Sequence, residues 1–130
     1  LPSPSPASPA DPFDEDFGGL TQTVHALAGS LAATAVARDR SGGTALAERQ
    51  LLRQSGLLTL AIPSAFGGQQ AAWPLIFRIL RRFAQADSSL AHLFGFQHLQ
   101  VASILLFGSQ AQQARYLGQA VEHRWFWGNA

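Results

Sequence analysis

The hydrophobic positions of this chain recur at helical spacing along most of its length. Between residues 19 and 40, Leu20, Val24, Leu27, Leu31 and Ala35 return every three or four positions, as one side of a helix requires. Ser41-Gly42-Gly43 ends that pattern, because glycine tolerates the left-handed stop conformation. Thr44 is placed to cap a second helix over 45–54. Leu46, Leu51 and Leu52 do not fit one narrow stripe, so a broad buried face is expected there. Gly56 stops this helix. A short apolar run over 57–62 precedes Pro63, which biases Ile62 toward extended backbone, and Phe66-Gly67-Gly68 reads as a loop.

Trp73-Pro74 opens a third helix, with proline suited to the first turn. Its apolar face is Ile76, Ile79, Leu80, Phe83 and Ala84, while Arg78, Arg81 and Gln85 lie elsewhere. Asp87-Ser88-Ser89 caps a fourth helix reaching to about Phe107. That segment is apolar on nearly every side, which predicts a helix buried all round. Its length approaches a membrane span, but His92, Gln97, His98 and Gln100 would each be costly in lipid, so a central helix of a soluble bundle is expected. After Gly108, Ser109 and Gln112 have capping-box spacing for a fifth helix over 110–120. The aromatic residues that follow read as an incoming strand. The fold class predicted is all-α, a bundle of about five helices with the start of a β-domain at its C-terminal end.

Composition narrows the function classes. Of the 130 residues, 47% are hydrophobic and 13% charged, the latter about half of the roughly 25% usual for globular chains. Such a chain has surface to bury, in part against chain or subunits beyond it. The net charge is +1 and no basic run exceeds Arg81-Arg82, which argues against nucleic acid or an anionic membrane as partner. The absence of cysteine rules out thiol chemistry within these residues and is compatible with the cytoplasm. The absence of methionine and the end of the chain within an aromatic run lead us to expect a fragment. Leu1 to Pro12, rich in Pro and Ser, lacks the basic start and apolar stretch of a signal peptide, and a disordered tail is expected over 1–16. The acidic residues between Asp11 and Asp16 complement the dipole of the helix that follows.

Candidate chemistry is sparse. The pairs Gly18-Gly19, Gly42-Gly43 and Gly67-Gly68 lack the setting of a phosphate loop and read as helix stops and turns. His92 and His98 are six apart and point to different sides of a helix, with no Asp or Glu within a turn, so no metal site is expected. His92 and Phe96, four apart, share a face with Ser88 and Leu99. That face is either a core surface with one satisfied histidine or the wall of an apolar pocket with one proton donor; spacing leaves both open. Trp125, Trp127 and Asn129 alternate and would face one way in a strand. They suit either the flanks of a planar ligand or a core against a following domain.

Four stretches carry a resemblance. They are Ala37-Arg38-Asp39-Arg40-Ser41-Gly42-Gly43-Thr44 with Ala47-Glu48-Arg49; Ser55-Gly56-Leu57-Leu58 with Ile62-Pro63 and Phe66-Gly67-Gly68; Ala86 through Phe96; and Leu106-Phe107-Gly108-Ser109-Gln110 leading to Trp125-Phe126-Trp127-Gly128-Asn129-Ala130. Together they resemble the acyl-CoA dehydrogenase superfamily, and within it the dibenzothiophene monooxygenase and sulfur-acquisition branch. After the tail over 1–16, the resemblance implies an N-terminal helical domain over 17–122 and the start of the middle β-domain over 123–130, in an enzyme usually assembled as a homotetramer. It implies a two-component monooxygenase that takes reduced FMN from an NADH-dependent flavin reductase and transfers oxygen to a small organosulfur substrate. His92 would donate a hydrogen bond to the oxygen in transit, Phe96 and Trp127 would shape the flavin and substrate pocket, and Asn129 would contact the flavin. Position 96 is a tyrosine in dibenzothiophene monooxygenase, so phenylalanine here leans toward sulfone-scavenging relatives. The alternatives are an FAD-dependent acyl-CoA dehydrogenase and a free-standing helical interaction module.

Overall fold

The computed structural model describes residues 15–128. Five helices follow the polar–apolar pattern: α1 (Thr21–Ser41), α2 (Leu46–Gln54), α3 (Trp73–Ala86), α4 (Ser88–Phe107) and α5 (Gln110–His123), with 3-10 turns at Gly18–Leu20, Leu57–Thr59 and Ser64–Phe66. No strand occurs among the described residues. α3 packs against α1 and α4, α4 also meets α2 and α5, and α1 meets α2.

Local chemistry sets the boundaries. Gly42, at φ 69°, closes α1. Pro74 stands in the first turn of α3. The Asp87 carboxylate accepts from the Ser89 and Leu90 amides at 3.0 and 3.1 Å and so caps α4. Ser109 and Gln112 form a reciprocal capping box at α5. The glycine pairs serve as stops and turns, with Gly18, Gly42, Gly43 and Gly67 at positive φ. Gly68 has a separate reason: a Cβ there would lie 2.1 Å from the Ile62 carbonyl oxygen, so only glycine lets the loop close over the apolar run.

The second helix departs from expectation. Ala45, not Thr44, precedes it, and no side chain caps it. Leu46 and Leu51 are exposed, whereas Leu52 and Glu48 are buried. α2 therefore turns in a narrow strip, because Glu48 takes a core position. Its carboxylate accepts from the Thr34 hydroxyl at 2.7 Å and lies 3.1 Å from Arg38 Nε. Arg38 also pairs with Asp87 at 2.5 Å, so one guanidinium ties α1, α2 and the start of α4 together. The Thr34 hydroxyl first, and Arg38 after it, hold the Glu48 carboxyl below its usual range. At Asp87 burial pushes upward, but the Ser89 hydroxyl and Arg38 outweigh it and the carboxyl sits low.

Two clusters make the core. The larger joins Val24, Leu27, Ala28 and Leu31 of α1 to Ile76, Ile79 and Phe83 of α3 and Leu90, Ala91 and Phe94 of α4. Phe83 and Phe94 meet edge to face at 5.2 Å. Gly95 lets α3 and α4 approach, since a Cβ there would stand 3.2 Å from Leu80 Cδ1. Ala84, expected inside, is exposed on α3. The smaller cluster holds Ile62, Val101, Leu117 and Ala120. Residues 15 and 16, expected in the tail, are held. Glu15 bonds Arg78 and Arg81 of α3, Asp16 accepts from the Gly18 amide and the Thr21 hydroxyl, and Arg78 donates to the Asp16 carbonyl. The rest of the expected tail lies outside the described residues.

Candidate flavin and substrate face

The fourth helix is not buried all round. Its inward stripe is Leu90, Ala91, Phe94, Gln97, His98 and Val101. The opposite strip is open: Ser88 and His92 are exposed, Phe96 is half-buried, and Leu99, Leu106 and Phe107 are 50%, 75% and 84% exposed. α4 is long and apolar enough to cross a membrane by length and composition, yet its middle carries the two buried polar residues. An apolar helix with one bare side has a face still to be covered.

The structure brings His92 and Phe96 together on that bare strip. Their rings lie 4.4 Å apart at 30°, one above the other as four-residue spacing dictates. The core-histidine reading of His92 is thereby corrected. His98 takes that place: it is fully buried and meets Phe94 edge to face at 4.6 Å. Burial pushes the His98 imidazole down to about 4, an effect that the Leu57 backbone beside it only partly offsets. Neither ring nitrogen makes a hydrogen bond of normal geometry, so this ring is held neutral by packing.

Trp127 borders the same helix on its flank. It shares a hollow of about 270 Å³ with Gln100, Ile104 and Tyr116, and a second, of about 220 Å³, with Arg49, Arg53 and Leu93. Trp125 and Trp127 pack on the smaller core cluster and Phe126 on the larger, the alternation expected of extended chain. The segment is not a strand and has no regular secondary structure, and α5 runs to His123, three residues past its expected end. Asn129 lies outside the described residues. No group of three or more His, Asp or Glu that could hold a metal occurs among the described residues.

Gln97 is the residue that pattern reasoning missed. It is fully buried and reaches the C-terminal segment with both ends of its amide. Nε2 donates to the Trp125 carbonyl at 3.2 Å, and Oε1 accepts from the Trp127 amide at 2.8 Å. A signal for it existed, since Leu90, Phe94, Gln97 and Val101 share one helical stripe in which a lone amide must find partners.

Comparison with known proteins settles the lineage. The profile of the family described as acyl-CoA dehydrogenase, N-terminal domain, matches residues 19–124. The chain belongs to this family. It is 54% identical over 104 residues to a probable FMNH2-dependent monooxygenase, SfnC, of Pseudomonas putida, covering 80% of this chain and 26% of that protein. It is 43% identical over 122 residues to the dibenzothiophene monooxygenase of Rhodococcus erythropolis, covering 94% and 28%. Among solved structures it superposes on the methanesulfinate monooxygenase MsuC of Pseudomonas fluorescens with a TM-score of 0.82 and 48% identity, covering 87% of this chain and 29% of that one. A complex of TdsC of Paenibacillus sp. A11-2 with FMN and indole gives 0.77 and 43%, covering 81% and 27%. This acyl-CoA dehydrogenase N-terminal domain thus spans about a quarter of the length of those relatives.

Proposed function

We propose that this domain is the N-terminal part of a flavin-dependent monooxygenase that oxidises a small organosulfur compound of sulfone or thiophene type. The observation that carries the reading is the His92–Phe96 stack on the bare strip of an otherwise core helix. It is supported by the similarity to relatives named as FMNH2-dependent and dibenzothiophene monooxygenases.

The strip suits a flavin ring. It is apolar and aromatic, offers one imidazole, and is flanked by half-buried Trp127. It carries no Arg or Lys among Ser88, His92, Phe96, Leu99, Ser103, Leu106 and Phe107, so this face fits the ring and leaves the phosphate to other chain. FMN, when bound and reduced, supplies the electrons that let one atom of O2 enter the substrate while the other leaves as water. Around it, Phe96 and Leu99 exclude water, which keeps the oxidant from being lost as hydrogen peroxide. His92 presents a ring N–H to the oxygen being transferred, Trp127 walls the pocket from the flank, and Asn129 contacts the flavin. The whole protein takes reduced FMN from an NADH-dependent flavin reductase and works as a cytoplasmic homotetramer, with neither nucleic acid nor membrane as partner.

The test is reconstitution of the full-length protein with NADH, a flavin reductase, oxygen and an organosulfur substrate. Sulfur oxidation that depends on FMN is expected. Tightly bound FAD with rapid acyl-CoA oxidation by an artificial electron acceptor would replace this reading with a dehydrogenase.

A further inference from the structure

We infer that Gln97 is a positioning residue for the proposed site: its buried carboxamide serves as a ladder rung that fixes the Trp125–Trp127 segment, and so the Trp127 indole, against the flank of α4. The inference rests on the function proposed above for its consequence, and on geometry alone for the contact.

In an extended chain the carbonyl of one residue and the amide two residues on point the same way. Trp125 and Trp127 present that pair to α4, where a neighbouring strand would ordinarily satisfy it. Here the Gln97 side chain does so, donating to the Trp125 carbonyl and accepting from the Trp127 amide at 3.2 and 2.8 Å. The carboxamide carries donor and acceptor in the spacing of a peptide group, so one side chain replaces one rung. The root of the segment is tied separately, by the Trp125 amide donating to the Ala120 carbonyl at 3.1 Å. Gln97 is itself fully buried, while its backbone partners are half-buried, so neither end of its amide can be left unpaired cheaply. The residue stands one position beyond Phe96 on the same helix. The flank that sets Trp127 and the strip that carries His92 and Phe96 are therefore parts of one rigid element, and Asn129 follows two residues after Trp127.

The experiment uses the full-length protein with Gln97→Met, which keeps the length and removes both bonds, and Gln97→Glu, which keeps the acceptor for the Trp127 amide. Two quantities are read: hydrogen exchange of the Trp127 amide, and sulfur product formed per oxygen consumed. Gln97→Met is expected to speed that exchange about 10- to 100-fold, the equivalent of losing a buried hydrogen bond, and to lower coupling, with kcat affected more than KM for the sulfur substrate. Gln97→Glu is expected to fall between wild type and Gln97→Met in both. Unchanged exchange in Gln97→Met overturns the rung. Faster exchange with unchanged coupling overturns its consequence for the site. Should Gln97→Met fail to fold, Gln97→Glu decides by the same two readings. A wild type that oxidises no sulfur compound would defeat the proposed function, and the exchange reading would still decide the rung.

Discussion

His92 and His98 stand six residues apart on one helix and live in opposite surroundings. His98 is fully buried against the Phe94 ring and beside the Leu57 backbone, and its ring is held neutral. His92 is exposed and stacked on Phe96 along a strip that nothing in the described residues covers. The same side chain thus serves as core filler on one side of α4 and as a presented polar group on the other. Packing, not residue type, assigns the role: Gly95 and the α3 contact close one side, while no described element crosses the other. A polar ring kept on the uncovered side of an apolar helix is the one free to meet a ligand.

The contrast can be broken in graded steps. Phe94→Ala removes the ring that joins Phe83 to His98 and should destabilise the domain by about 4 kcal/mol, seen as a lowered melting temperature of the full-length protein. A negligible change would mean that the inward stripe is not the core. Acid should probe His98 next. Its pKa in the folded state, about 4, lies below the ordinary 6.5, so the unfolded chain binds the extra proton. Stability from this group is full above pH 6.5 and is lost as the pH falls toward 4, by about 3 kcal/mol when complete. His98→Leu should flatten the melting-temperature profile across that window; an unchanged acid slope would assign it to other groups. Phe96→Tyr should matter least to the fold, within about 0.5 kcal/mol, because its ring edge is only half-buried. It should still shift the preference between thiophene and sulfone substrates, by about tenfold, in direct competition assays. A loss of several kcal/mol would show that the open strip is packed as tightly as the core.

Much of this was legible in the sequence, and the exceptions share a cause. Helix order, the Asp87 cap, the Ser109–Gln112 box and the glycine stops follow from local rules, and the structure carries them. What periodicity misjudged were the places where a polar residue occupies a core position. Glu48 displaced Leu46 and Leu51 from the expected inner face of α2 because Thr34 and Arg38 satisfy it. Gln97 and His98 lay in the buried stripe of α4, and their presence among apolar neighbours gave no hint of which side would be left open. Burial is decided by what packs against a helix. In α4, where nearly every position is apolar, the sequence pattern had no contrast from which to read the bare side. The His92–Phe96 pairing was legible from its spacing, and its exposure was not.

The central claim is that His92 serves the transferred oxygen and not the fold. In the full-length protein His92→Phe keeps an aromatic ring against Phe96 at a position that the core does not use, so the melting temperature should stay close to that of wild type. Product formed per oxygen consumed should fall by about 10²–10³, the size of losing one preorganised donor, with hydrogen peroxide released in its place. Coupling equal to wild type in the folded variant would contradict the account.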